Sequence, residues 1–220
     1  MTTHAEIRSA RPDARDVADL VTTLTATYGE RALTSRAIRD QHSHGEGLSD
    51  AGLPDVVVFP HTNEEVAAIV RLCNAARVPI IPFGVGTSLE GHVAAIYGGV
   101  CLDLSQMNRV LEVNAEDLDC RVQAGVLREQ LNAELRNTGL FFPIDPGANA
   151  TIGGMASTRA SGTNVSRFTG THSTRSRADL NTVFTSSGSL AKKRMHARSP
   201  RAPSAAPISS ILFSGPCASR

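Results

Sequence analysis

Apolar positions between Asp13 and Tyr28 fall at Val17, Leu20, Val21, Leu24 and Tyr28. Steps of three and four residues put them on one face and predict an amphipathic helix over 13–28. Residues 31–50 are polar, contain the run HSHGEG, and read as a loop or irregular arm. DVVVFP, from Asp55 to Pro60, is a short β-branched run closed by proline and predicts a buried strand over 55–59. Thr62 then precedes Glu65 by three residues, the signature of a capping box. The helix this opens, over 63–77, carries Val66, Ile69, Val70 and Cys73 on one face. It stops near Ala76–Arg77, because Val78 precedes Pro79 and is biased away from helical geometry.

A strand at 79–81 follows, so the order is strand, helix, strand, a βαβ unit with a right-handed crossover expected. Further β-like runs are GVCLDL (Gly99–Leu104), NRVLEVN (Asn108–Asn114) and DCRVQAG (Asp119–Gly125). In NRVLEVN, strict alternation puts Val110 with Glu112 on one face and Leu111 with Val113 on the other. Leu127, Leu131 and Leu135, spaced by four, predict a helix over about 127–137, with Gly139 as its stop. The pattern is that of an α+β or α/β chain in which a mixed sheet is expected.

Two segments break this regularity with glycine. IPFGVGTSLEG (Ile81–Gly91) follows the second strand of the βαβ unit. FFPIDPGANATIGGMASTRASGTN (Phe141–Asn164) carries Gly147, Gly153, Gly154 and Gly162 among small and hydroxylated residues. The dinucleotide fingerprint needs its glycines between the first strand and its helix, which does not fit Gly84, Gly86 and Gly91. No lysine follows them, which excludes a P-loop. Small residues do let consecutive backbone N–H groups face a ligand, and such a nest suits phosphate oxygens. Thr87, Ser88, Thr151, Ser161 and Thr163 add hydroxyl donors. Arg159 and Arg167 are the nearby cations. A large cofactor anchored by a pyrophosphate fits this chemistry. Two tight glycine turns that merely pack a helix closely are the alternative.

Composition changes the picture only at the C-terminal end. Residues 1–170 hold 14 Arg, no Lys and 20 Asp or Glu, a net charge of −6, whereas residues 171–220 hold 6 Arg, 2 Lys and the single acid Asp179, a net charge of +7. Eleven of those last 50 residues are serine, and ISSILF (Ile208–Phe213) is the one candidate core piece. Such a stretch buries too little to offset its folding entropy. Only Lys192-Lys193-Arg194 is densely basic, and aromatics make up 4% of the chain with no Trp, so no nucleic-acid partner is expected. Cys73, Cys101, Cys120 and Cys217 are widely spaced, with no CxxC pair. They read as buried free thiols, and no metal site is expected. No apolar run approaches the length that crosses a bilayer, and the N-terminus lacks a signal-peptide core.

The blocks PDVVVFPHTNEEVAAIV (54–70), VPIIPFGVGTSLEG (78–91), GLFFPIDPGANATIGGMAST (139–158) and ASGTN (160–164) resemble the FAD-binding domain (type 4, PCMH-type) of vanillyl-alcohol-oxidase-like flavoproteins. Within that group they are most similar to the D-lactate dehydrogenase (cytochrome) and glycolate oxidase FAD-subunit branch. The resemblance covers roughly residues 30–168. It implies an α+β PCMH-type FAD-binding fold of mixed sheets with flanking helices, incomplete at its C-terminus. The implied division is a helical arm at 1–50, a partial FAD-binding domain at 51–168, and a basic, serine-rich tail at 169–220 that is disordered or frame-shifted.

By the same resemblance, Pro82, Phe83, Gly84, Val85, Gly86, Thr87, Ser88 and Leu89 should wrap the FAD pyrophosphate. Asp145, Pro146, Gly147, Ala148 and Thr151 should lie along the cofactor, with Gly153, Gly154, Ser157, Ser161, Gly162 and Asn164 continuing that wall. Some relatives attach FAD through a histidine. None lies among the cofactor-lining residues just named, so non-covalent FAD is implied, and His42, His44 and His92 read as loop or surface residues. The implied reaction oxidises a 2-hydroxy acid, D-lactate or glycolate, and passes electrons to a cytochrome, quinone or other acceptor. The groups that act on substrate would lie beyond this chain, so no catalytic residue is assigned. After ASGTN, Arg167 and Phe168 still fit the family, but Thr169, Gly170 and the tail do not, which suggests a frame disruption near 168–172. The expectation is a truncated protein, inactive alone, or an FAD-binding subunit that a partner completes. Its expected location is cytoplasmic or peripheral to a membrane.

Overall fold

The computed structural model describes residues 12–47, 52–161 and the backbone of 210–212. The chain divides into two compact units between Met107 and Asn108. Gly162, Asn164 and most of the 169–220 tail lie outside the described residues.

The first unit opens with helix α1 (Ala14–Tyr28), whose N-terminus is capped by the Asp13 carboxylate accepting from the Arg15 N–H at 2.7 Å. Leu20 and Leu24 are its buried residues, with Val17, Val21 and Tyr28 packed beside them. Residues 31–41, read as part of a loop or irregular arm, are largely regular. A 3-10 turn (Gly29–Arg31) leads into strand β1 (Ala32–Leu33) and helix α2 (Arg36–Gln41). Strands β2 (Val56–Val58), β3 (Ile80–Phe83) and β4 (Val100–Asp103) complete a four-stranded sheet with the order β1-β2-β4-β3. β1 runs antiparallel to β2, and β4 lies parallel to both of its neighbours, so the sheet is mixed. The two strands of the βαβ unit are therefore not adjacent, because β4 is inserted between them. Burial on both faces explains why β2 reads as a continuous apolar run, and β4 is buried along its length as well.

Helix α3 (Asn63–Ala76) links β2 to β3. Thr62 Oγ1 caps it by accepting from the Glu65 N–H at 3.2 Å, while Glu65 Oε2 reaches back to the His61 N–H at 2.7 Å. It ends at Arg77 in left-handed geometry, one residue before the proline-restricted Val78. Ile69 and Cys73 are buried, but Val70 is 40% exposed and falls outside the apolar face expected for it. At 100° per residue, Val70 lies about 40° beyond Val66, on the side away from Ile69, at the margin of the stripe defined by Val66, Ile69 and Cys73.

The second unit contains antiparallel strands β5 (Val110–Asn114) and β6 (Asp119–Val122), helix α4 (Arg128–Leu135), helix α5 (Ile152–Ser157) and strand β7 (Ser210–Leu212). The sheet order is β5-β6-β7. β7 falls within ISSILF and pairs Ser210–Leu212 with Arg121–Asp119. The strict alternation expected for 108–114 does not hold. The register shifts between Val110 and Glu112, and the irregularity lets Val110 and Val113 pack against one core while Leu111 is exposed. That core is built on Leu131 and Leu135 of α4, with Cys120, Val126, Phe142 and Met155. A 3-10 turn follows α4 and ends at Gly139, whose φ of 73° confirms it as the stop. No helix among the described residues is long and apolar enough to cross a membrane.

Candidate functional site

β3 delivers the chain to Phe83, and there regular pairing ends. No N–H from Gly84 to Glu90 donates to any acceptor among the described residues. A run of unengaged donors in one turn is unusual, because backbone N–H groups are normally paired. It is the arrangement that accepts an anion. Gly86 holds φ +70°, which favours glycine, and a Cβ there would come within 3.0 Å of Phe83 Cζ. The Thr87 hydroxyl has no partner among the described residues. Ser88 Oγ is 2.6 Å from His92 Nδ1, and His92 Nε2 is 3.6 Å from Glu90 Oε2. Leu89 is 68% exposed at the tip of the loop.

A cavity of about 640 Å³ opens beside this loop, with His42, Phe59, Phe83, Gly84, Gly86 and Asp103 in its wall. His42 is therefore not a surface residue. It is 5% exposed, as is Asp103. Its Nδ1 lies 2.8 Å from the Ile38 carbonyl and its Nε2 lies 2.8 Å from Asp103 Oδ2. Burial alone would push the His42 pKa down, but the bonds to Asp103 and to Ile38 outweigh it and hold the pKa above its ordinary value. The Phe83 ring lies 4.6 Å from the imidazole, centroid to centroid. The sequence held one signal of this pair, an aspartate inside the buried run Val100–Leu104, since a buried carboxylate needs a partner.

The HSHGEG arm sits directly against the loop. A Cβ on Gly45 would be 2.8 Å from the Ser88 carbonyl oxygen and 2.9 Å from that of Gly86, and one on Gly47 would overlap the Leu89 carbonyl. Only glycine allows this backbone-on-backbone approach.

The second glycine segment divides in two. In its first part the N–H groups of Ile144, Gly147, Ala148 and Asn149 have no acceptor among the described residues. Gly147 is exposed, and a Cβ there would meet nothing within 4 Å. Its second part forms α5, a helix the glycine content concealed. Here the donors are engaged internally: Ile152 N–H to the Val126 carbonyl at 2.8 Å, Gly153 N–H to the Ala124 carbonyl at 2.8 Å, and Gly154 N–H to Thr151 Oγ1 at 3.2 Å. Thr151 is 2% exposed, and Gly153 is needed because a Cβ would lie 2.7 Å from that of Ala124. Ser157 donates to the Gly153 carbonyl, while Ser161 is exposed at the end of the described segment. Thr151, Gly153 and Gly154 thus build and seat a helix, with the Gly153 and Gly154 N–H groups and Thr151 Oγ1 engaged internally. Pro82 is exposed on β3, and Val85 is 40% exposed. Asp145 and Pro146 are half-buried in the turn before Gly147.

The unengaged donors, the glycine geometry and the adjoining cavity fit the chemistry of a diphosphate-bearing group. Residues 54–184, more than half of the chain, match the FAD binding domain family. A Danio rerio protein named "Probable D-lactate dehydrogenase, mitochondrial" is 49% identical over 144 residues, which are 66% of this chain and 29% of that protein. An Arabidopsis thaliana protein named "D-lactate dehydrogenase [cytochrome], mitochondrial" is 46% identical over 145 residues, 66% of this chain and 24% of that protein. The chain thus spans less than a third of the length of these relatives. Among solved structures, an alkyldihydroxyacetonephosphate synthase superposes with a TM-score of 0.61 at 28% identity, over 66% of this chain and 32% of that one.

Proposed function

The chain belongs to the FAD binding domain family, and on that premise we propose that it holds FAD for the oxidation of a 2-hydroxy acid to the 2-oxo acid. D-lactate is the favoured substrate and glycolate the alternative. The observation that carries the reading is the run of N–H groups from Gly84 to Glu90 that have no acceptor among the described residues, beside a cavity. Gly84, Val85, Gly86, Thr87 and Ser88 hold the diphosphate through backbone dipoles, with the Thr87 hydroxyl as a further donor. In the second unit, Gly147, Ala148 and Asn149 offer the same kind of donor. When bound, FAD supplies the two-electron acceptor that the side chains of a protein lack. The protein's part is to fix that cofactor and to shield it from water.

D-lactate is favoured because two relatives bearing that name align with two thirds of the chain. A cytochrome is the favoured electron acceptor on the name of the Arabidopsis relative, with a quinone as the alternative. FAD is held without a covalent bond, since Gly84–Leu89 and 143–161 contain no histidine.

The test is a visible absorption spectrum of the purified 220-residue chain after incubation with FAD and desalting. Flavin bands should be retained, and should leave with the supernatant on acid precipitation. A folded chain that retains no flavin overturns the reading. Flavin that stays with the acid precipitate overturns only its non-covalent part. Turnover is separable: an assay of D-lactate-dependent and glycolate-dependent reduction of an artificial acceptor reports on substrate without bearing on cofactor binding.

A further inference from the structure

His42 and Asp103 are not accounted for by the anion cradle, yet they form a buried ion pair at its base. Both imidazole nitrogens face acceptors, the Ile38 carbonyl and Asp103 Oδ2, each at 2.8 Å. A neutral imidazole has one N–H and can donate to only one of them, whereas the doubly protonated ring donates to both. The other carboxylate oxygen, Asp103 Oδ1, accepts from the Ser105 N–H at 2.8 Å and is fixed from the far side. The pair ties the C-terminal end of α2 to the end of β4. Immediately beyond His42 the chain becomes the arm that carries Gly45 and Gly47 onto the carbonyls of Gly86, Ser88 and Leu89. Phe83 touches both sides of this arrangement, the imidazole at 4.6 Å and the underside of Gly86. The pair, the arm, Phe83 and the loop are thus packed in one continuous cluster.

Resting on the FAD reading above, we propose that the His42–Asp103 pair is a positioning device that holds the Gly84–Glu90 loop in its anion-binding shape, and that loss of the His42 proton weakens FAD binding. Deprotonation would leave either a buried carboxylate or a buried carbonyl without its donor, at the point where the arm that braces the loop begins. The elevated pKa of His42 agrees with this. Sign and direction follow from it: the competent state is the protonated one, so affinity is full below the His42 pKa and declines as pH rises through it. The other charged groups lining the cavity are His44 and Glu46 of the arm, and Phe83 and Phe59 bring no charge from their side. On α2 itself, Arg39 is engaged with the Pro54 carbonyl. Cys101, two residues before Asp103 on β4, stays protonated because burial and the Asp103 charge push its thiol to about 12. His92, bonded to Ser88 on the loop, is the competing source of a pH effect.

The experiment measures FAD affinity of the full chain by flavin fluorescence across the range in which imidazoles titrate. Calorimetry in two buffers of different ionisation enthalpy adds the protons taken up on binding, and imidazole NMR follows His42. The wild type and His92→Gln should both lose about tenfold or more in affinity as His42 deprotonates, with proton uptake on binding and an upward shift of the His42 titration when FAD is present. His42→Gln should be weak at every pH and should show no such uptake. That variant is not essential, since the wild-type proton uptake and the NMR titration decide the matter even if it fails to fold. Affinity that stays constant while His42 titrates overturns the device and leaves FAD binding intact. Loss of the pH effect in His92→Gln also overturns it, by assigning the effect to His92. A folded chain that binds no FAD at any pH removes both this inference and the reading beneath it.

Discussion

Glu65 accepts from both terminal nitrogens of Arg31, at 2.7 and 2.8 Å, and from the His61 N–H. The Arg31 bond is the largest of the effects that hold its carboxyl down at about 2. Paired, bidentate geometry of this kind is worth more than a typical surface ion pair. Glu65→Gln should lower unfolding stability near neutrality by about 1–2 kcal/mol, read from urea denaturation. Because the folded pKa is depressed, the Glu65 contribution is present above the unfolded value of 4.5 and is lost as pH falls towards 2. The variant should therefore lose its handicap in acid. Gly99 makes a second residue-scale case. Its φ is +105°, and a Cβ would lie 2.4 Å from the Pro79 carbonyl oxygen. Gly99→Ala should cost about 2 kcal/mol or more, beyond the 1–2 expected from left-handed backbone alone, and thermal melting would measure it. The thiols supply a third. Burial raises Cys73 to about 11, and Cys101 and Cys120 to about 12. In the native protein, iodoacetamide labelling at mildly alkaline pH followed by peptide mass spectrometry should leave all three unmodified, and unfolding should expose them.

At the scale of elements, helix α3 is bounded by signals that are local in the chain. Thr62 accepts from the Glu65 N–H, and Pro79 forbids continuation past Val78. Thr62→Ala should cost about 1 kcal/mol, while Thr62→Ser should be nearly neutral, with urea midpoints as the measure. Because such signals act within a few residues, α1 and α3 were legible in the sequence almost to the residue. β5 was not, since the irregularity that brings Val110 and Val113 to one core is settled by pairing with β6. Helix α5 was hidden for a different reason. Gly153 and Gly154 have poor helix propensity, and only the Thr151 cap and the close approach to Ala124 make a helix worthwhile there. The irregular loop at Gly84–Glu90 was legible from glycine density, whereas the bonds that tie the Gly153 and Gly154 N–H groups to Ala124 and Thr151 were not.

At the scale of the whole molecule, two groups with opposite shifts bound the stable pH range. Glu65 withdraws its contribution in acid. His42, whose pKa is raised, contributes fully below its unfolded value of 6.5 and loses that contribution as pH rises through the folded value. Thermal melting of the chain should therefore decline on the alkaline side, and His42→Gln should flatten that decline. The sequence by itself determined helices α1, α3 and α4, the cap of α3, the chain's α+β class and the glycine loop after β3, because periodicity, capping and glycine geometry are properties of neighbours in the chain. Only the tertiary structure decided that β4 lies between β2 and β3, and that His42 meets Asp103 across 61 residues. It also decided that the arm of Gly45 and Gly47 braces the loop. Each of these is a choice of distant partner, set by which surfaces bury together and which charges must then be matched, and no local pattern encodes it.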